Sequence, residues 1–179
     1  MTDVFGDDGR DWLTRLPSIV TSIARRWNLT VGPAVPNLSY NWVAPATREN
    51  GERVMLKVGV PHSELWSEIE ALRVYAGRGI ARLIDADAEL GALLLERLEP
   101  GRTLVNLSQK DDEQATEIAA MVMRDLWTPL SDEHPFRSVA DWANGTARIR
   151  GMFEGGTGPL PTNLFEQAES LFAELLPSM

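Results

Sequence analysis

Arg53-Val54-Met55-Leu56-Lys57-Val58 is an apolar run broken by one lysine, and its reading decides the fold. Side chains alternate between faces along a strand, so Lys57 points away from the side shared by Leu56 and Val58. Turn signals bracket the run. Glu49-Asn50-Gly51-Glu52 precedes it and predicts a tight hairpin, because Asn50 and Gly51 both tolerate positive φ. Pro61 closes it. A lysine in such a strand is either a solvated strand residue or a group held for a purpose.

The next segment bears on that choice. Leu65, Ile69, Leu72 and Tyr75 form a helical stripe, flanked by Trp66 and Val74, in a helix starting at His62 or Ser63. Glu68 lies beside the stripe, where it could meet Lys57 as a charge pair. Glu64, Glu68 and Glu70 could equally all be surface charges. Ala76-Gly77-Arg78-Gly79 ends the helix. Residues 80–86 read as a strand, Glu89-Leu90-Gly91 as a turn, and residues 92–98 as a buried strand ending in polar residues. Asp85-Ala86-Asp87 reads as loop chemistry rather than as a metal-binding pair.

Upstream, residues 1–9 read as a loose polar end. Trp12, Leu13, Leu16, Val20, Ile23, Ala24 and Trp27 recur at helical spacing. Pro17 suits a first helical turn, which predicts a main helix over residues 17–27 packed on the back of a small sheet. Residues 29–46 read as two strands around a turn at Pro36-Asn37-Leu38-Ser39-Tyr40-Asn41. That turn either covers a ligand, with Ser39 and Asn41 as donors, or is an ordinary polar hairpin tip.

Glu99-Pro100-Gly101 breaks the pattern and predicts a boundary between a strand-rich part, residues 1–98, and a helical part, residues 99–179. A helix is expected from Ser108, with Ser108 and Asp111 in capping-box spacing and Ala115, Ile118, Ala119, Val122, Met123 and Leu126 buried. A second helix over residues 138–153 would turn Val139, Trp142, Ile149 and Phe153 inward. A third over residues 163–176 would bury Leu164, Ala168, Leu171 and Leu175. Gly155-Gly156-Thr157-Gly158-Pro159 reads as a flexible loop. It fails as a phosphate loop, since no lysine follows and no strand precedes.

The 179 residues suit one ordinary domain or two small lobes sharing a cleft. There is no cysteine, and His62 and His134 are the two histidines, so a thiolate or zinc site is not expected. The acidic, apolar-poor start does not read as a signal peptide, and no run approaches the ~18 apolar residues of a membrane span. The expectation is a soluble cytoplasmic protein. A net charge of −9 argues against nonspecific nucleic-acid binding and is compatible with a cationic small-molecule substrate.

Val54-Met55-Leu56-Lys57-Val58, Glu68-Ile69-Glu70-Ala71-Leu72-Arg73 and Leu93-Leu94-Leu95-Glu96-Arg97-Leu98-Glu99-Pro100-Gly101 together resemble the aminoglycoside/hydroxyurea antibiotic resistance kinases, the family of the streptomycin 6-phosphotransferases. The resemblance is densest over residues 10–103. It implies an α+β, protein-kinase-like fold: a small antiparallel-sheet lobe with one key helix, a hinge, and a helical lobe. It implies ATP and magnesium as cofactors and a hydroxyl of an aminoglycoside-like antibiotic as acceptor. Carried over by position, Lys57 would contact the α- and β-phosphates and Glu68 would orient it. Glu96, Arg97 and Leu98 would form the adenine-binding hinge, and Ser39 would lie under the phosphates.

The family pattern also needs a catalytic loop, His-x-Asp with a later Asn, and a further Asp for magnesium. His62 is followed by Ser63-Glu64 and His134 by Pro135-Phe136. The expectation is therefore a chain ending before the catalytic loop, with no catalytic base and no magnesium ligands, and inactive alone. The alternative is a non-catalytic nucleotide-binding or interaction module derived from such a kinase. Apolar faces left open on the helical part would favour self-association.

Overall fold

A computed structural model describes residues 2–36, 38, 40–131 and 133–178. The chain is α+β. Its contacts divide it into two compact units, Met1–Glu133 and His134–Met179.

The first unit is built on a five-stranded antiparallel sheet of β1 (Leu29–Val31), β2 (Trp42–Arg48), β3 (Arg53–Val58), β4 (Leu83–Asp87) and β5 (Ala92–Glu96). The strand order is β1-β2-β3-β5-β4, which puts β3 at the centre. The period of two along β3 divides the core in two. Val54, Leu56 and Val58 are fully buried against α1 (Thr2–Arg26), with Trp12, Ile19 and Ile23 opposite them. On the other face Leu93 packs with Leu65, Ile69 and Leu72 of α2 (Ser63–Tyr75). Burying a Val, Leu or Ile side chain contributes about 1.5–3 kcal/mol, so the two helices are pinned chiefly by these apolar contacts.

The helix on the back of the sheet is longer than expected. It begins at Thr2, with a kink at Gly6, where residues 1–9 read as a loose end, and Pro17 lies inside it. The stripe through Trp12, Leu16, Ile19 and Ile23 stays continuous across the proline, and that burial outweighs one lost backbone bond. Arg26, at its end, forms an ion pair with Asp87.

The β2–β3 hairpin is present, but Asn50 does not take positive φ. The connection, residues 49–52, is closed by Gly51 N–H donating to Arg48 C=O and Arg48 N–H to Glu52 C=O, both at 2.9 Å. Gly51 alone sits in the left-handed region, at φ 82°, and the Asn50 side chain accepts from Glu52 N–H at 3.0 Å. Asp85 and Asp87 also differ from expectation. They lie in β4 and not in a loop, because β4 pairs with β5 through them.

Beyond β5 come α3 (Val105–Ser108) and α4 (Asp112–Leu126). The cap of α4 is Asp111, whose carboxylate accepts from Gln114 N–H at 2.9 Å, and Ser108 is the last residue of α3. Of the stripe expected to be buried on α4, Ala115 is buried while Val122 and Met123 are exposed.

The second unit pairs α5 (Val139–Met152) with α6 (Thr162–Leu175). Ser138 and Asp141 form a capping box at the start of α5. The glycine-rich segment between the helices is a hydrogen-bonded turn. Thr157 is buried and its hydroxyl donates to Leu160 C=O at 2.8 Å. The inward residue of α6 is Phe165, under the Arg150 guanidinium at 4.9 Å, whereas Leu164 and Leu171 are exposed. On α5, Val139 and Trp142 are exposed too. The Arg150 guanidinium donates to both Glu169 oxygens, at 3.2 and 2.6 Å.

Two measurements test this account. Gly91 sits at φ 69°, and a Cβ there would lie 2.2 Å from Gly59 C=O, a backbone atom with nowhere to go. Gly91→Ala is expected to destabilise the first unit by roughly 2 kcal/mol or more in urea unfolding; a change within experimental error would contradict the strand-end packing. In the second unit, the Arg150 hydrogen bonds hold the Glu169 carboxyl below its usual range. A carboxyl depressed by folding stabilises the folded state above its unfolded pKa of about 4.3, and that contribution is lost as pH falls through the lower folded value. Glu169→Gln should therefore show less loss of stability than the parent chain when unfolding is followed from about pH 6 down to about pH 3.

Candidate functional site

The Lys57 side chain leaves β3 on the face that α2 covers. In the register it stands between Val43 of β2 and Leu93 of β5. Leu65, Ile69 and Leu72 fix the rotation of α2 on the sheet, and Glu68 follows Leu65 by three residues and precedes Leu72 by four. Such spacing keeps it on the sheet-facing side. The Lys57 ammonium donates to both Glu68 oxygens, at 2.5 and 2.7 Å. The lysine side chain is 17% exposed and the glutamate 37%, so Lys57 is not a solvated strand residue. Glu64 faces His62 at 3.6 Å and Glu70 pairs with Arg73, and both remain surface charges.

A partly exposed ion pair contributes about 0.2–1 kcal/mol, little beside the apolar burial around it. Its larger effect is positional. An ammonium has three N–H donors, and two directed at Glu68 leave one for another acceptor. The arrangement can hold an anionic oxygen beside β3 at a fixed place.

Glu96 is the last residue of β5, and Arg97 and Leu98 follow directly on it. Glu96 is tied to the segment before β4: its N–H donates to Arg82 C=O at 2.9 Å, and its carboxylate accepts from Arg82 N–H at 3.2 Å. The Arg97 guanidinium lies 3.1 Å from Glu99, which also pairs with Arg53 at 2.8 Å. Leu98 is 58% exposed, and its backbone makes no hydrogen bond among the described residues. Ser39 lies outside the described residues, and so does Asn37.

One feature of the site was not anticipated. Gly59 N–H donates to Gly91 C=O at 2.9 Å, two residues past Lys57. A Cβ on Gly59 would come within 2.3 Å of Asn41 Oδ1, so the end of β3 holds the turn before β2 at close range. The signal was two glycines set in strand-like runs, Val58-Gly59-Val60 and Leu90-Gly91-Ala92. Among the described residues no group of three or more histidines and carboxylates is arranged to hold a metal ion, so no step through magnesium is derived from them. Nor is any helix among them long and apolar enough to cross a membrane.

Comparison with known proteins bears on what the site serves. Residues 26–178 match the family described as aminoglycoside/hydroxyurea antibiotic resistance kinase. The chain is similar to the streptomycin 6-kinase of Streptomyces glaucescens, at 35% identity over 172 residues, covering 82% of this chain and 56% of that protein. It is similar to the streptomycin 6-kinase of Streptomyces griseus, at 35% identity over 121 residues, 68% of this chain and 39% of that protein. It is also similar to the hydroxyurea phosphotransferase of Kitasatospora aureofaciens, at 38% identity over 141 residues, 78% of this chain and 41% of that protein. The chain thus spans about half the length, or less, of these relatives. With its family match over most of its length, the chain belongs to the aminoglycoside/hydroxyurea antibiotic resistance kinase family.

Proposed function

We propose that this chain carries the nucleotide-binding part of an ATP-dependent small-molecule phosphotransferase with a protein-kinase-like fold. The observation that carries the reading is the Lys57–Glu68 pair, a strand lysine oriented by a helix carboxylate with one N–H to spare. In a kinase-type site such a lysine holds the α- and β-phosphates. Leu98, whose backbone groups have no partner among the described residues, supports a hinge over Glu96, Arg97 and Leu98 that pairs with adenine. By resemblance alone, the reading also gives Ser39, which lies outside the described residues, a place under the phosphates. The lobes of this reading are residues 1–98 and 99–179.

The acceptor class is supported by the relatives, whose names give streptomycin and hydroxyurea. A hydroxyl of a cationic, aminoglycoside-like antibiotic fits a chain of net charge −9. ATP supplies the phosphoryl group, and magnesium would neutralise charge on its phosphates. The 179 residues contain no His-x-Asp-x-x-x-x-Asn, so the reading assigns the base and the magnesium ligands to no residue here. By itself the chain is expected to bind nucleotide without transferring phosphate. The competing reading is a non-catalytic interaction module, and the outcome of nucleotide binding separates the two.

The test is a calorimetric titration with ATP. Binding should be weakened by Lys57→Met by about tenfold or more, the effect of losing a charge-assisted hydrogen bond to phosphate. Glu68→Gln should weaken it less, since Lys57 keeps its charge and loses only its orientation. No binding at millimolar ATP would leave the interaction module. Phosphate transfer to streptomycin by the purified chain would overturn the assignment of the base outside these residues.

The exposed apolar residues support a second, separate reading, self-association. Met121, Val122, Met123 and Trp127 stand out on and just after α4, with Trp127 75% exposed. Light scattering over a range of concentrations should show mass rising with concentration, and Met123→Ser with Trp127→Ser should reduce that rise. A single monomer mass at every concentration would refute it.

A further inference from the structure

The second unit has an open-sided cavity of about 450 Å³, its polar lining solvent-exposed, that the nucleotide reading does not use. It opens between residues 134–137 and one face of α5. Asp141, Asn144 and Arg148 recur there at helical spacing, so they share that face. Gly145 leaves the floor open, since a Cβ on it would meet nothing within 4 Å.

The lining has a distinct chemistry. Arg137 and Arg148 both face the cavity, and neither is in an ion pair among the described residues. The Arg137 guanidinium lies over the Trp142 ring, 5.6 Å from its centre, which holds the planar fork while its N–H edge stays available. The His134 ring stacks on Phe136 at 5.7 Å and accepts from Phe136 N–H at Nδ1, at 3.2 Å. A neutral His134 therefore carries its proton on Nε2 and is a donor there. The one lining carboxylate, Asp141, is engaged by the capping box, its Oδ2 accepting from the N–H and the hydroxyl of Ser138, both at 2.7 Å. Two guanidinium groups against one occupied carboxylate leave a local positive charge in a chain of net charge −9.

We propose that this cavity binds a phosphate-type oxyanion, held between the guanidinium groups of Arg137 and Arg148, with His134 Nε2–H and the Asn144 amide as further donors. Planar guanidinium forks match the oxygens of phosphate two at a time, and a tetrahedral dianion has enough acceptors for the whole set. The phosphate is either free or the head of a small phosphate ester. The inference rests on the second unit's own residues and does not depend on Lys57.

The experiment is a calorimetric titration of the full chain at low ionic strength with inorganic phosphate, glucose 6-phosphate and glucose. It is repeated on Lys57→Met so that the first unit's lysine cannot contribute. Saturable binding of one or both phosphates at millimolar concentration or below, with none for glucose, is expected in both proteins. A preference for glucose 6-phosphate would identify the ester as the source; equal binding would identify the free ion. Arg148→Gln should weaken binding by about tenfold, one charge-assisted hydrogen bond. Gly145→Leu should weaken it by filling the floor, with circular dichroism unchanged. Arg102→Gln, an exposed arginine of the first unit, should have no effect. Absence of saturable binding, equal weakening by Arg102→Gln, or loss with Lys57→Met but not with Arg148→Gln would each overturn the proposal.

Discussion

The first unit depends on one constraint, the two-residue period of β3 between two helices. Val54, Leu56 and Val58 must face α1, so Lys57 must face α2. The apolar contacts on the two faces each outweigh the ion pair, which contributes about 1 kcal/mol at most. The core therefore decides where the ammonium stands, and Glu68 decides which way it points. Packing supplies the position and electrostatics the aim, and neither could substitute for the other.

The second unit rests on different means. Among the described residues its buried side chains are few, Phe165 of α6 and Thr157 of the turn before it. Arg150 compensates by serving three partners at once: the Glu169 carboxylate, the Gly155 carbonyl and the Phe165 ring. Polar contacts of this kind weaken with acid and salt, whereas the sheet's core does not. The two units should accordingly answer differently to solution conditions.

Much of the sheet and its pair was readable from periodicity alone. The period of two placed Lys57 opposite Leu56 and Val58, and the period near 3.6 placed Glu68 beside Leu65, Ile69 and Leu72. Other features were hidden because they depend on tertiary partners. Pro17 reads as a helix start until Trp12 is known to be buried beyond it. Asp85 and Asp87 read as a loop until β5 is known to pair with them. The stripe on α4 has the pattern of a buried face, but burial needs something to lie against, and a pattern cannot state that. Ser108 and Asp111 are both good caps, and only the actual start of α4 chooses between them. The proposed hinge over Glu96, Arg97 and Leu98 rests on resemblance, since an exposed leucine after a strand carries no pattern of its own.

The tight connection between β2 and β3 has a practical consequence. Gly51 lies in the turn beyond the far end of β3 from Lys57, where a side chain would meet no neighbour but would be strained at φ 82°. At a rise of about 3.3 Å per residue, the four steps of strand from Arg53 to Lys57 span about 13 Å. Because that distance runs along a rigid, hydrogen-bonded strand, a dye attached at the hairpin tip would keep a nearly constant separation from the ammonium. The same strand that aims the lysine thus provides a built-in ruler, and energy transfer from the tip to a fluorescent nucleotide at the proposed site would measure along it.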